Sequence, residues 1–503
     1  MNRSTRRITA GMAQGSVLSA AATILIWSGL SHPAAISQVT ASQAPDPPAE
    51  PTLMRVRLPA DDHPDLALTL EAAGFDVLPT SAAAGAIDLI VNQQELDALT
   101  QMHLQATLVD RGRPLRDILA EQGLIDGVPP GYLDLDEILA AMADCAAAKP
   151  SICELVDLTE RYQAPTTYEG RHLWAVRISD NVNVDEDESA LLIVGDHHAR
   201  EIVTPVICLY AMEQLTSLYG IDPAVTDAVD NHEIWIAPTW NPDGYAYVFS
   251  SDNYWRKNRV RYLPEQAVGV DQNRNYPSGW YSSCSGSSDP YSSTYKGPLP
   301  ASESETQTMM LWSVDQRFSR VIDYHSYGRE VLYAYRCRNH PLFRYLESEA
   351  AALARSSGYG ASIRPPSADG EHYQWQVFAR IAHGFLIETH REFQPSYSSA
   401  VAEAASLWPG ILEMAGRTAS LYGHVTDAST GMPVAARIRF AIGTEILREQ
   451  AQSESTFGRY DLFLPPGQYR MGFIADGYRP QGHDVTIEAD GNPTVLEVAL
   501  EPR

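Results

Sequence analysis

Continuous apolar runs, not alternating ones, mark the strands through the middle of this chain. Ala190 to Gly195 (ALLIVG), His232 to Ala237, Arg320 to His325 and Gly384 to Thr389 (GFLIET) are mostly apolar at consecutive positions. That is the pattern of strands covered on both faces. Between them, Thr204 to Leu218, Glu303 to Val314, Phe343 to Ser356 and Ala400 to Ala415 read as amphipathic helices. Helices alternating with buried strands predict an α/β domain with a largely covered sheet, spanning residues 130–418.

Both flanks have a different rhythm. Met54 to Leu58, Asp76 to Leu78, Ala86 to Val91 and Gln105 to Val109 read as strands, with helices at Pro64 to Ala73 and Gln94 to Met102. The order β-α-β-β-α-β is the split βαβ pattern. It makes residues 53–112 a small separate domain or a prosegment. After Ser420 short alternating runs take over: Leu421 to Thr426, Ala436 to Phe440, Arg459 to Leu464, Gln468 to Ala475 and Thr494 to Leu500. Pro465-Pro466-Gly467 and Asp490-Gly491 punctuate them, so residues 420–503 are expected to form a small β-sandwich.

The N-terminus reads as an address. Arg3, Arg6 and Arg7 precede an apolar run from Val17 to Leu30, followed by the small residues Ala34 and Ala35. Residues 1–40 are therefore expected to be a cleaved export signal, placing the protein outside the cell or in the periplasm. The run is short for a membrane span, and no other segment is long and apolar enough, so the mature chain is expected to have none. A Pro-rich stretch, residues 41–52, follows as a linker.

Composition narrows the partners more than the fold. At 503 residues the chain is long enough for about three domains at one per ~150 residues. A formal net charge of −26 repels phosphate backbones, so no nucleic acid is expected as a partner. Of the five cysteines, Cys145 and Cys153 lie eight apart, Cys284 and Cys337 fall in loop-like stretches, and Cys208 sits within an apolar helix. Two disulfides and one buried thiol are the expectation, with connectivity open.

Chemistry concentrates at strand ends. The strand Ala190 to Gly195 runs into Asp196-His197-His198-Ala199-Arg200-Glu201. Ligands gather at such carboxyl ends of a sheet. His198 and Glu201 can offer an imidazole and a carboxylate from one turn, and His325 ends another strand. Two histidines and one glutamate with a fourth position open is a catalytic zinc arrangement. An isolated HxxE is weak evidence, since most histidines are satisfied structural residues; the adjacent His197 is read as an outer or surface residue.

Six segments together carry a resemblance. His198-Ala199-Arg200-Glu201, Asn241-Pro242-Asp243-Gly244, Trp255-Arg256-Lys257, Asp271-Gln272-Asn273-Arg274-Asn275, Asp323-Tyr324-His325-Ser326-Tyr327 and Glu388 occur in the order found in zinc metallocarboxypeptidases of the carboxypeptidase A/B/T type. The C-terminal run, with Gly423-His424-Val425, Gly458-Arg459-Tyr460 and Pro466-Gly467-Gln468-Tyr469, resembles the transthyretin-like module of some of these enzymes. The resemblance implies a carboxypeptidase-like central mixed sheet covered by helices, and one zinc ion per chain held by His198, Glu201 and His325. It also implies that Glu388 is the general base, that Arg256 stabilises the oxyanion, and that Asn273 and Arg274 grip the substrate's terminal carboxylate. Arg200 is implied as substrate-binding, with Tyr327 as a fixed pocket wall. The implied substrates are the C-termini of peptides or proteins, and the C-terminal β-sandwich is the expected seat of any protein partner.

The physical roles agree with these assignments. A carboxylate beside an activated water can take its proton, a fixed cation favours a developing oxyanion, and a guanidinium fork matches a carboxylate. In one place the sequence departs from the pattern. Pro366 stands where the family has a mobile tyrosine, and Tyr373 falls at the specificity position, with Asp369 and Glu371 in the same loop. Either a basic-side-chain pocket or an aromatic-lined apolar one is compatible with that loop. Two rival readings remain at this stage: a zinc amidase acting on cell-wall peptides, and a non-catalytic binding protein on the same scaffold. Residues 53–112 are expected to shield the cleft and to be removed by cleavage near Pro114 to Asp126.

Overall fold

The computed structural model describes residues 52–59, 65–78, 85–122, 131–262, 268–335, 340–366, 368–443, 445–449 and 451–503. The expected export signal, nearly all of the linker and Cys337 lie outside these residues.

The first described unit is an antiparallel sheet of β1 (Met54–Pro59), β2 (Asp76–Val77), β3 (Ala86–Val91) and β4 (Thr107–Arg111), in the order β2-β3-β1-β4. Helices Leu66–Ala72 and Gln93–Gln101 complete the β-α-β-β-α-β order read from the sequence. Met54, Val56, Leu58, Leu89 and Leu99 form its core. The second helix starts where Asn92 and Glu95 exchange side chain and backbone hydrogen bonds, a capping box that satisfies two otherwise free amides.

The central sheet has eight strands: β5 (Cys153–Asp157), β6 (Trp174–Ile178), β7 (Ser189–Gly195), β8 (His232–Ala237), β9 (Arg320–Ser326), β10 (Glu330–Leu332), β11 (Ile363–Arg364) and β12 (His383–Thr389). Their order is β11-β10-β12-β9-β7-β8-β6-β5. The central strands β12, β9, β7 and β8 run parallel, while β10, β6 and β5 make antiparallel pairings at the flanks. The sheet is thus mixed and helix-covered. Its apolar runs conceal an alternation: Leu191, Ile193, Ile322 and Phe385 face one core, and Ala190, Leu192, Val194 and Val321 face the other. Two-sided burial is why these strands read as continuous.

Two further sheets follow. Leu421–Asp427 pairs with Arg459–Leu462 and with the C-terminal Thr494–Val495 and Val498–Leu500. Arg437–Ile442, Gly467–Ile474 and Gln481–Ile487 make the second sheet with two short strands. Leu421, Val425, Ile438, Phe440, Met471 and Phe473 are buried in this region. Strand Gln481–Ile487 escaped the sequence reading because only Val485 and Ile487 of its seven residues are buried, too few to set up an alternation.

The cysteines correct one expectation. Cys284 is disulfide-bonded, but Cys145, Cys153 and Cys208 are free thiols, so the Cys145–Cys153 neighbourhood does not supply a second bridge. Cys145 Sγ faces Thr216 Oγ1 at 3.6 Å. Cys145 and Cys153 face each other as hydrogen-bonding partners with no bond between the sulfurs. Cys208 is the buried thiol expected. Among the described residues no helix is long and apolar enough to cross a membrane.

Candidate active site

Adjacent strands deliver the reactive side chains to one edge. β7 ends at Gly195, and Asp196, at φ 62, turns the chain toward the helix Val203–Leu218. His198 and Glu201 lie in that turn, and β9, hydrogen-bonded alongside β7, ends with His325 and Ser326. In the next register pair, Glu388 of β12 stands opposite His325. Parallel strands about 4.8 Å apart thus place all four functional groups together.

The first three converge closely. His198 Nδ1 is 2.8 Å from Glu201 Oε1, and His325 Nδ1 is 3.0 Å from both Glu201 Oε2 and His198 Nδ1. All three are buried. Two imidazole nitrogens pressed together against a carboxylate form a donor set that needs a cation in its midst. Zinc bonds of about 2.0–2.2 Å in a tetrahedron space neighbouring ligand atoms by about 3.3 Å, so a slight widening of this trio admits the ion. The Ser326 amide donates to Glu201 Oε2 at 3.0 Å and fixes the carboxylate.

Behind each imidazole sits a second buried carboxylate, and these the sequence reading did not single out. Asp271 Oδ1 lies 3.1 Å from His198 Nε2, and Asp323 Oδ1 lies 3.3 Å from His325 Nε2. Such partners fix ring orientation and raise the basicity of the nitrogen left for the metal. Asp323 also holds His372 Nδ1 at 2.9 Å and His197 Nδ1 at 3.1 Å. His197, fully buried, stacks on His325 and His372 at 5.6 and 5.0 Å. It therefore belongs to the outer layer. The available signal was position: Asp323 precedes His325 by two on a strand, so both face the same way.

Charge follows this geometry. Burial works against every ionised group here. Despite it, Arg256 and His198 hold Asp271 well below the usual carboxylate range, and the imidazoles do the same for Asp323. Against burial, Asp323 and Glu201 hold His325 well above the usual imidazole range. Arg256 donates to Asp271 Oδ2 through Nη2 at 2.8 Å and stands 3.9 Å from Glu201 Oε1. Glu388 Oε2 is buried with no hydrogen-bond partner in the structure, while Oε1 is 3.9 Å from Arg364. Burial and the Glu201 carboxylate push the Glu388 pKa up to about 7.

The remaining sequence-predicted residues occupy two sides of this centre. Asn273 Nδ2 reaches within 3.2 Å of His325 Nε2, and Asn273 Oδ1 accepts the His372 amide. Arg274 Nη1 donates to the Asn273 carbonyl at 2.7 Å and lies 3.2 Å from Glu371 Oε1. Tyr373 is fully buried beside Leu332 and Leu386, its hydroxyl unpartnered in the structure. Asp369 turns away to accept from Ser282 Oγ at 2.6 Å. On the opposite side, Tyr327 packs edge-on against Phe393 at 4.9 Å, and Arg200 grips Asp76 with two nitrogens at 2.5 and 2.9 Å. The structure therefore gathers His198, Glu201, His325, Glu388, Arg256 and Asn273 at one point, and engages Arg200 with the N-terminal sheet.

Comparison with known proteins agrees. The zinc carboxypeptidase family model matches residues 138–428. Carboxypeptidase A1 of Rattus norvegicus is 29% identical over 303 residues, covering 57% of this chain and 70% of the relative. Carboxypeptidase A1 of Sus scrofa is 31% identical over 269 residues, covering 51% and 62% respectively, so the chain spans about two thirds of the length of these relatives. In fold, carboxypeptidase A from Helicoverpa armigera superposes with a TM-score of 0.60 at 21% identity, over 73% of this chain and 98% of that one.

The outer carboxylates yield a direct test. Asp323→Asn is expected to weaken zinc binding by about 10–100-fold, measured by competition with a chromophoric chelator, while Glu201→Ala is expected to emerge from dialysis without zinc. Unchanged affinity in Asp323→Asn would remove that carboxylate from the site.

Proposed function

The chain belongs to the zinc carboxypeptidase family, and we propose that it is a metallocarboxypeptidase hydrolysing the C-terminal bond of peptides or proteins. The observation that carries this reading is the joint placement of the His198–Glu201–His325 trio, Glu388 and Arg256 within one buried cluster, with Arg274 beside it. The export signal in residues 1–40 would place this activity in the secreted or periplasmic space.

His198, Glu201 and His325 would hold the zinc ion, which would supply Lewis acidity toward the scissile carbonyl and the attacking water. Glu388 takes the proton of the attacking water and passes it to the leaving amine. A base of raised pKa suits that exchange, since it both accepts and returns a proton near neutral pH. Arg256, held in place by Asp271, faces the developing oxyanion with a charge that is already fixed. Asn273 and Arg274 receive the terminal carboxylate, a group that an internal peptide bond does not offer. That last pair favours exopeptidase over endopeptidase chemistry. The cell-wall amidase reading has no separate observation in its favour.

Residues 53–112 fit a prosegment. Asp76 on β2 occupies Arg200 in a bidentate pair, and Leu78 and Ile90 pack with Phe393, Tyr254 and Tyr327. Arg200 holds the Asp76 pKa down against the cost of burial, so both charges persist in the contact. Of the expected cleavage segment, helix Leu115–Glu121 buries Leu115 and Leu119 in the catalytic core, and residues 123–130 lie outside the described set.

Three outcomes test the reading. Glu388→Gln should retain one zinc per chain by metal analysis while losing about three or more orders of magnitude in kcat, because it keeps the shape and loses the base. Peptides amidated at the C-terminus should be poor substrates, and Arg274→Ala should narrow the gap in kcat/KM between free and amidated forms; equal values in the unsubstituted enzyme would favour an endopeptidase. Finally, Asp76→Ala should raise the peptidase activity of the intact chain several-fold toward that of processed enzyme. An intact, unsubstituted chain as active as processed material would make residues 53–112 a permanent accessory domain.

A further inference from the structure

Where the helical side of the catalytic domain meets the C-terminal strands, a cavity is lined by Arg317, Arg380, Gln452, Arg459, Phe318 and Tyr460, among others. Arg317 follows the helix Ser304–Gln316 in a left-handed conformation, φ 51, and Arg380 ends the helix His372–Arg380. The two guanidinium groups share one neutral acceptor. Arg380 Nη1 donates to Gln452 Oε1 at 3.1 Å, and Arg317 Nη1 donates to the same oxygen. The Nε atoms of both arginines are buried without a hydrogen-bond partner in the structure.

The nearby carboxylates are engaged elsewhere: Asp315 and Glu454 favour the Arg317 charge through space only, and Asp315 accepts from the Tyr162 hydroxyl. Asp461 is taken by Arg459, 2.9 Å from its Nε. Glu454 accepts from the amides of Phe457 and Arg459. Burial and the neighbouring Asp180 and Glu186 push Glu188 up to about 8, which favours its neutral form. Burial and the charge of Arg317 press the Arg380 pKa down to about 10, and burial lowers Arg317 as well. Helix C-termini favour cations, but only by a small margin, and they supply no partner for the inward-facing nitrogens. Two guanidinium groups in one cavity around a carboxamide leave fixed donors suited to a planar or tetrahedral oxyanion.

We propose that Arg317, Arg380 and Gln452 form a binding site for a small oxyanion, a phosphate or a carboxylate, at the seam between the catalytic domain and the C-terminal strands. Gln452 can turn its amide to donate in place of accepting, so all three residues can contact the anion. Because the ligands come from both sides of the seam, anion binding and docking of the C-terminal strands are linked. The site is separate from the zinc cluster and carries no step of peptide hydrolysis.

The test uses the zinc-loaded full chain. Thermal unfolding is followed during titration with sodium phosphate and, separately, sodium acetate, with chloride holding ionic strength constant. A saturable rise in Tm is expected, since a ligand that binds only the folded state stabilises it by mass action. A rise with phosphate alone assigns the site to phosphoryl groups; a rise with both extends it to carboxylates. Arg380→Gln should weaken apparent affinity by about tenfold, the loss of one charge-assisted hydrogen bond. Gln452→Glu supplies the arginines with a resident carboxylate, so its Tm without anion should exceed that of the unsubstituted chain and its anion response should vanish. Peptide hydrolysis should be unchanged in both variants. The absence of any saturable rise, or an equal rise in Gln452→Glu, overturns the proposal, the latter placing the anion elsewhere in the molecule.

Discussion

Three buried carboxylates, Glu201, Asp271 and Asp323, converge on two imidazoles, and the rest of the structure is arranged around holding that negative charge out of water. Isolated ions of this kind are strongly disfavoured in a protein interior unless paired. Pairing comes from three directions: Arg256 on Asp271, the histidines between the carboxylates, and a divalent cation for which the inner trio is shaped. The sheet makes the convergence possible. Parallel neighbours β7, β9 and β12 end side by side, so groups from residues 198–201, 325 and 388 meet without long loops. The rigid strand ends also confine the imidazoles to the orientation their outer carboxylates dictate.

The same charge logic explains the N-terminal sheet. Arg200 lies beside the ligand cluster and is itself nearly fully buried, with Phe393 stacked 4.3 Å from its guanidinium. An unpaired cation there would be costly, so the surface of the enzyme is poised to accept a carboxylate. In the intact chain Asp76 is that carboxylate, presented from the short strand β2 with apolar Leu78 and Ile90 closing water out around it. The domain's own core of Met54, Val56, Leu58, Leu89 and Leu99 shares no residue with the catalytic cores.

What was legible in the sequence was what is local. The strands β7, β8, β9 and β12 were readable because two-sided burial demands unbroken apolar runs, and the first sheet because its six elements follow one another without excursion. His198 with Glu201 was readable as a pair because one turn holds both. Asp271 lay within a segment already noted, yet its role depends on tertiary approach to His198, 73 residues away, which no periodicity encodes. Edge strand Gln481–Ile487 was missed for want of apolar positions. Cys145 and Cys153 show the converse: their proximity was legible in the sequence and is kept in the fold, where they meet as free thiols.

The loop before Tyr373 is held to its neighbours through the backbone. The Gly370 carbonyl accepts the Tyr276 amide at 3.1 Å, the Asp369 amide donates to the Cys284 carbonyl at 2.9 Å, and the His372 amide is bound to Asn273. Gly370, at φ 90, also lets the loop approach the Arg274 backbone so closely that a Cβ there would stand 2.7 Å from its carbonyl oxygen. Gly370 and His372 are thus tied to the segment bearing Asn273 and Arg274, and Asp369 to Cys284. What the loop contributes is Glu371, a buried carboxylate 3.2 Å from Arg274 whose pKa burial pushes up. Arg274 presents its N–H donors in a planar fork, and the same Nη1 that meets Glu371 also donates to the Asn273 carbonyl, so one guanidinium binds the loop to its own segment.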